Sequence, residues 1–263
     1  MVTLIAGTVL WDFDGTLGHR RHGTWAECLL EILDRHHPGH TWQFTNLYDA
    51  LATGFPWHHA DQPHPHLGDP DRWWEHITAV VHRALTGLGM DPDTAAAAAH
   101  ATRSAYTDTS AWSLYPQTLQ VLDALREAGW QHVIVSNHVP ELPALLEELA
   151  LAPRLAAVVN SATTGYEKPH AQAFGLARQA AGGTGPLWMV GDNPHADVAG
   201  ALTAGIDAIW VRRNRPGDLP DLPAVARLIL DPSPAPREGG SVARTWEVAP
   251  AVADTARRVM PIG

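Results

Sequence analysis

The chain is nearly without cysteine and nearly without lysine. Cys28 is the single cysteine, so no intramolecular disulfide can form and a reducing, cytoplasmic setting is expected. Lys168 is the single lysine among 18 basic residues, and the other 17 are arginine. No run of 18 apolar residues occurs, so no membrane-spanning helix is expected. Residues 1–11 lack a basic stretch and run into Asp12 before any cleavage signal, so no secretory leader is expected either. Net positive charge is missing as well. With 28 acidic residues the formal charge is −10, which argues against a sequence-independent nucleic-acid binder, since that needs a surface able to displace counterions.

What remains is a globular composition: 45% hydrophobic and only 17% charged over 263 residues, enough apolar surface for a sizeable core. The length suits one domain carrying a large insertion, at about 100 to 200 residues per domain. The order of the chain agrees. Thr8–Trp11 reads as a buried strand that stops at Asp12-Phe13-Asp14-Gly15-Thr16. From Leu17 to Tyr115 the periodicity is helical, over 25–35, 70–88 and 93–106, with a Pro/His-rich loop at 55–70 and no β pattern. After Pro116 strands (132–135, 156–159, 187–190, 208–211) alternate with helices (from 116, 140–150, 171–181, 196–204). Such alternation predicts an α/β fold, a Rossmann-like parallel sheet with helices on both faces. The core is then 1–16 and 116–263, and 17–115 is an inserted, all-helical cap domain. Residues 224–230 read as a short edge element, 232–240 as a loop and 250–260 as a closing helix.

Ligands of open parallel sheets bind at the carboxyl ends of the strands. Those ends carry Asp12 and Asp14, Ser136 and Asn137, and Asp192 with Asp197 five residues on, while Lys168 precedes a helix. Clustered carboxylates repel unless a cation compensates, and an all-oxygen donor set suits Mg²⁺ with a phosphate. A lone ammonium in an arginine-using chain marks a position needing a compact point charge. An Asp beside a metal can act as nucleophile, and a second Asp two residues away as acid and base.

These residues resemble the haloacid dehalogenase-like hydrolases. Asp12-Phe13-Asp14-Gly15-Thr16-Leu17 looks like the family's first motif and Ser136 its second. Lys168-Pro169 is similar to its third, and Gly191-Asp192-Asn193-Pro194-His195-Ala196-Asp197 to its fourth. The resemblance implies Asp12 as nucleophile, forming an aspartyl-phosphate, and Asp14 as general acid/base. Ser136, Asn137, Thr16 and Lys168 would bind the phosphate. Mg²⁺ would be held by Asp12, the backbone carbonyl of Asp14, Asp192 and Asp197. The implied activity is a Mg²⁺-dependent phosphatase acting on a small-molecule phosphomonoester. A sugar-phosphate mutase and a catalytically silent binder remain as alternatives on the same core. The dehalogenases of the family use no acid at the position of Asp14, and 17–115 holds no lysine for Schiff-base chemistry.

For the leaving group, Arg20 or Arg21 could pair with an anionic part of the substrate, or be solvated arginines at the hinge of the insertion. Trp57 and His58 belong to an aromatic segment, 55–74, that could form a lid, pack on its own helices, or hold zinc. Cys28 lies in an apolar helical stripe with Leu29 and Ile32 and reads as a small buried hydrophobe.

Overall fold

The computed structural model describes residues 5–183, 185–211 and 221–231. The expected loop at 232–240 and helix at 250–260 lie outside the described residues. A five-stranded, all-parallel sheet forms the centre, in the order β5-β4-β1-β6-β7. Its members are β1 (Gly7–Trp11), β4 (Trp130–Ser136), β5 (Ala157–Asn160), β6 (Leu187–Gly191) and β7 (Asp207–Trp210). Each strand is a short run of mainly apolar residues, as a sheet covered on both faces requires. Alternate side chains go to opposite faces. Val9, Trp11, Ile134 and Val190 join one apolar cluster, whereas Leu10, Val133, Val135 and Met189 join the other.

On the first face lie α5 (Thr118–Glu127) and α10 (Leu222–Leu230), which pack on each other. The segment read as an edge element is therefore helical, with Asp221 capping it through the Ala224 N–H at 2.8 Å. Its apolar spacing (Leu222, Val225, Ala226, Ile229) follows a helical face that a short window does not distinguish from a buried strand. On the other face α8 (Ala171–Ala181) and α9 (Gly200–Thr203) pack, with Phe174, Ala177 and Ala201 buried. The single helix expected over 196–204 is divided: residues Pro194–Ala199 form a π-helical turn before α9.

The insertion contains α1 (Trp25–His36), α2 (Phe44–Ala50), α3 (Pro70–Gly87) and α4 (Pro92–Tyr106). Thr24 and Glu27 close a capping box at the start of α1. It is not all-helical. Its two ends pair as an antiparallel ribbon, β2 (Gly18–Arg20) with β3 (Trp112–Leu114), strands of three residues that are too short to display alternation. Helix α2 was not expected, because its seven residues bury only Leu47.

Beneath the sheet's first face, His132 is fully buried and uses both ring nitrogens. Trp11 Nε1 donates to His132 Nδ1 at 3.0 Å, and Nε2 reaches Leu122 O at 2.9 Å. The Trp11 bond requires an unprotonated Nδ1, and burial pulls the group down to about 4. The folded state therefore refuses a proton that the unfolded chain accepts, so stability is full above pH ~6.5 and is lost as pH falls through about 4. Urea-unfolding midpoints should fall over that window. His132→Gln, which keeps a donor and an acceptor without titrating, should flatten the dependence.

Candidate active site

Strand β1 runs through the middle of the sheet, so Asp12 leaves it flanked by the ends of β4 and β6. Asp12 is almost fully buried, and its two oxygens are held separately. Oδ1 accepts from Lys168 Nζ at 2.7 Å and from Ser136 Oγ at 3.1 Å. Oδ2 accepts from Thr16 Oγ1 at 3.2 Å. Lys168 Nζ also donates to Asp197 Oδ1 at 2.6 Å, so one ammonium, 3% exposed, joins two carboxylates. The backbone of Lys168 is clasped in turn: its N–H donates to Asn137 Oδ1 at 2.7 Å, and Asn137 Nδ2 donates to its carbonyl at 3.0 Å. The Asn137 side chain thus positions the lysine.

The π-helical turn sets Asp197. Asn193 Oδ1 caps the turn by accepting from His195 and Ala196 N–H, and Asn193 N–H donates to Asp197 Oδ2 at 3.0 Å. Two glycines make room. A Cβ on Gly191 would collide with the Asp197 carboxylate, and one on Gly15, at φ +84°, with that of Asp192. The Trp210 indole donates to the Asp192 carbonyl at 2.9 Å.

Four carboxyl groups face one ammonium here, and the electrostatics follow. Burial first, and the Asp12 charge second, push Asp14 up to about 8, against main-chain hydrogen bonds from Gly15 and Arg20 and the Arg20 charge. Burial and the neighbouring Asp12, Asp197 and Asp14 raise Asp192. Burial also raises Asp197, opposed by Lys168 and the Asn193 main chain. Burial works against the charge of Lys168, but Asp12 and Asp197 overcome it and hold the ammonium above its usual range. Oxygens of Asp12, Asp192 and Asp197 lie within 4.8 Å of one another. Such an all-oxygen set, short of positive charge and free of sulfur or imidazole donors, fits a hard divalent cation.

The expected substrate-recognition residues are placed otherwise. Arg20 neither overhangs the site nor faces solvent. It is 1% exposed and forks onto Glu31, at 2.7 and 3.3 Å, and onto the Ala105 carbonyl at 3.2 Å. It ties β2 to α1 and α4. Arg20 ends β2 and points inward, while Arg21, in the turn that follows, is exposed. Trp57 stacks on Phe55 at 4.6 Å and approaches Trp25, and His58 meets Phe55 edge-on; both serve packing within the insertion. Its histidines form no metal cluster among the described residues. His138 and Tyr106, both buried beside the site, were not anticipated; the position of His138, directly after Ser136-Asn137, was the available signal.

The pattern of the haloacid dehalogenase-like hydrolases matches residues 6–205. The chain belongs to that family. Like other haloacid dehalogenase-like hydrolases, it has phosphatase relatives. It is 35% identical over 143 residues to a phosphoserine phosphatase of Thermus thermophilus, spanning 53% of this chain and 56% of that one. Over 121 residues it is 35% identical to a ribulose-1,5-bisphosphate 5-phosphatase of Halopiger xanaduensis, spanning 45% and 49%. It thus spans about half the length of these curated relatives. Its fold is similar to that of the magnesium-bound HAD-hydrolase YfnB of Bacillus subtilis, with TM-score 0.62 and 19% identity over 87% of this chain and all of that one. It is also similar to that of the L-2-haloacid dehalogenase of Xanthobacter autotrophicus, with TM-score 0.55 and 22% identity over 99% and 90%. At such identities the likeness concerns the fold.

Gly191→Ala tests the cradle. The added methyl must displace the Asp197 carboxylate, so hydrolase activity should fall by about a hundredfold or more. Gly205→Ala, at a turn where a Cβ meets nothing, is the control; it should cost stability through its positive φ and leave activity per folded molecule intact.

Proposed function

We propose that this hydrolase is a Mg²⁺-dependent phosphatase acting on a small-molecule phosphomonoester in the cytoplasm, through an aspartyl-phosphate on Asp12. The observation that carries the reading is Asp14. Held at about 8, its carboxyl is largely protonated near neutrality and stands two residues from a nucleophile paired with the Lys168 ammonium. A halide leaves without a proton, whereas an alkoxide needs one. Two carboxyls with divided environments supply a nucleophile and an acid.

In this mechanism Asp12 Oδ2 or Oδ1 attacks phosphorus, and Ser136 and Lys168, released in part from Asp12, take up phosphoryl oxygens. Asp14 protonates the departing ester oxygen. As a carboxylate it then takes a proton from the water that attacks the aspartyl-phosphate, which restores Asp12 and Asp14 together. Asp12, Asp192, Asp197 and the Asp14 carbonyl would hold Mg²⁺, which when bound neutralises charge on the phosphoryl oxygens. The insertion, by covering the site, favours small substrates over macromolecules.

Two outcomes test this. Release of p-nitrophenol from p-nitrophenyl phosphate should require Mg²⁺ and stop in EDTA. Asp12→Asn should lower turnover by about a thousandfold or more with an unchanged circular dichroism spectrum; near-normal turnover in this variant overturns the mechanism. Lys168→Arg should fail too, by about a hundredfold or more, because a planar guanidinium does not reproduce a compact ammonium between Asp12 and Asp197. Full activity in that protein would make the unique lysine incidental.

A further inference from the structure

The described residues include two buried histidines, and they differ in a telling way. His132 uses both ring nitrogens; His138, 3% exposed, closes a well-formed hydrogen bond through neither, although the Val139 main chain acts on its ring. Burying an imidazole without partners carries an uncompensated desolvation cost. The ring is pulled down to about 4 by burial, with Asp12 and the Val139 main chain acting in the other direction, so it stays neutral, one nitrogen a donor and the other an acceptor.

His138 also stands at the sheet edge that carries Asp12, beside Ser136, which donates to Asp12. It follows Ser136-Asn137 at the end of β4, within reach of the Asp12 charge. Three aromatic rings wall it: Phe13 edge-on at 5.6 Å, Trp112 at 5.1 Å and Tyr106 at 6.2 Å. Phe13, which lies between Asp12 and Asp14 in the chain, joins this wall to the acid. The wall therefore runs from the Asp12–Asp14 segment to His138. The site's cations are committed: of those whose charge reaches Asp14 or Asp192, Arg20 is paired with Glu31 and Lys168 with Asp12 and Asp197. A second anionic group on the substrate would find no free counter-charge among them, whereas a hydroxyl both donates and accepts, as a neutral imidazole does.

Resting on the phosphatase reading, we infer that His138 is a specificity-determining residue that pairs with a hydroxyl of an uncharged, hydroxyl-bearing leaving group, enclosed by Phe13, Tyr106 and Trp112.

The test compares glycerol 1-phosphate with n-propyl phosphate, which has the same carbon chain without hydroxyls. Wild-type protein should favour glycerol 1-phosphate by about tenfold or more in kcat/KM. His138→Phe should bring the ratio to about one, and His138→Gln, which keeps a donor and an acceptor, should restore much of it. A wild-type ratio near one overturns the assignment. So does a ratio that persists in His138→Phe, as it would if that variant merely weakened the fold and slowed both esters alike. Binding separates the two readings. Asp12→Asn protein should bind glycerol 1-phosphate more tightly than n-propyl phosphate by calorimetry, and the added His138→Phe change should abolish the difference. That preference in a chain hydrolysing no ester overturns the phosphatase reading alone; equal affinities in Asp12→Asn overturn the role of His138.

Discussion

The ammonium of Lys168, bonded to Asp12 and Asp197 inside the protein, is the interaction on which the rest of the site depends. It draws together the ends of β1 and β6 and a loop between β5 and α8, while the clasp of Asn137 on the Lys168 backbone adds the end of β4. Removing one member would leave a buried charge unpaired, at a cost of about 3–5 kcal/mol. The strand order makes the arrangement possible, because β1 lies between β4 and β6 and their termini converge on one edge. A single methyl on Gly191 would break it from the opposite side.

One lysine among four carboxyl groups leaves the site short of positive charge, and that shortage divides the carboxyls. Asp12 and Asp197 take the ammonium. Asp192 and Asp14, without it, are raised furthest, and Asp197 is raised less because Lys168 opposes its burial. Burial first, and the Asp12 charge second, keep a proton on Asp14, while the oxygens of Asp12, Asp192 and Asp197 together suit a hard cation.

The sheet and this edge were legible in the sequence because each apolar run stops abruptly at a polar residue: Trp11 before Asp12, Val135 before Ser136, Val190 before Gly191-Asp192. The π-helical turn was not, since Ala196–Ala204 has good helical composition and only the inward pull on Asp197 distorts it. Arg20 was misread for a related reason. An arginine in a three-residue strand carries no sign of the Glu31 that awaits it on α1, and isolated polarity suggests solvent or ligand equally well. His138 went unremarked because its character comes from Phe13, Tyr106 and Trp112, which are brought to it only by folding.

The chemical groups come from the core, whereas the proposed substrate-facing wall is shared, with Phe13 and His138 from the core and Tyr106 and Trp112 from the insertion. Asp12, Asp14, Ser136, Lys168, Asp192 and Asp197 all belong to the sheet and its loops. Tyr106 lies at the end of α4 and Trp112 in β3, on the insertion. Within the insertion Arg20–Glu31 is a buried pair that keeps β2, α1 and α4 together. Between insertion and core the polar links among the described residues include Arg103 and Trp74 on Glu141, the His64 N–H on the Gly165 carbonyl, and the buried Thr118 hydroxyl on the Leu17 carbonyl at 2.8 Å. Arg103 is 42% exposed and Glu141 27%, so that pair is worth about 0–1 kcal/mol. Its loss costs little compared with breaking the Lys168 pairs. The ionic network is concentrated where phosphorus would be attacked, whereas the wall that would face the leaving group is held by buried aromatic packing on Phe13 and His138. A substitution of Tyr106 or Trp112 would therefore change the proposed wall without removing a carboxylate that reacts.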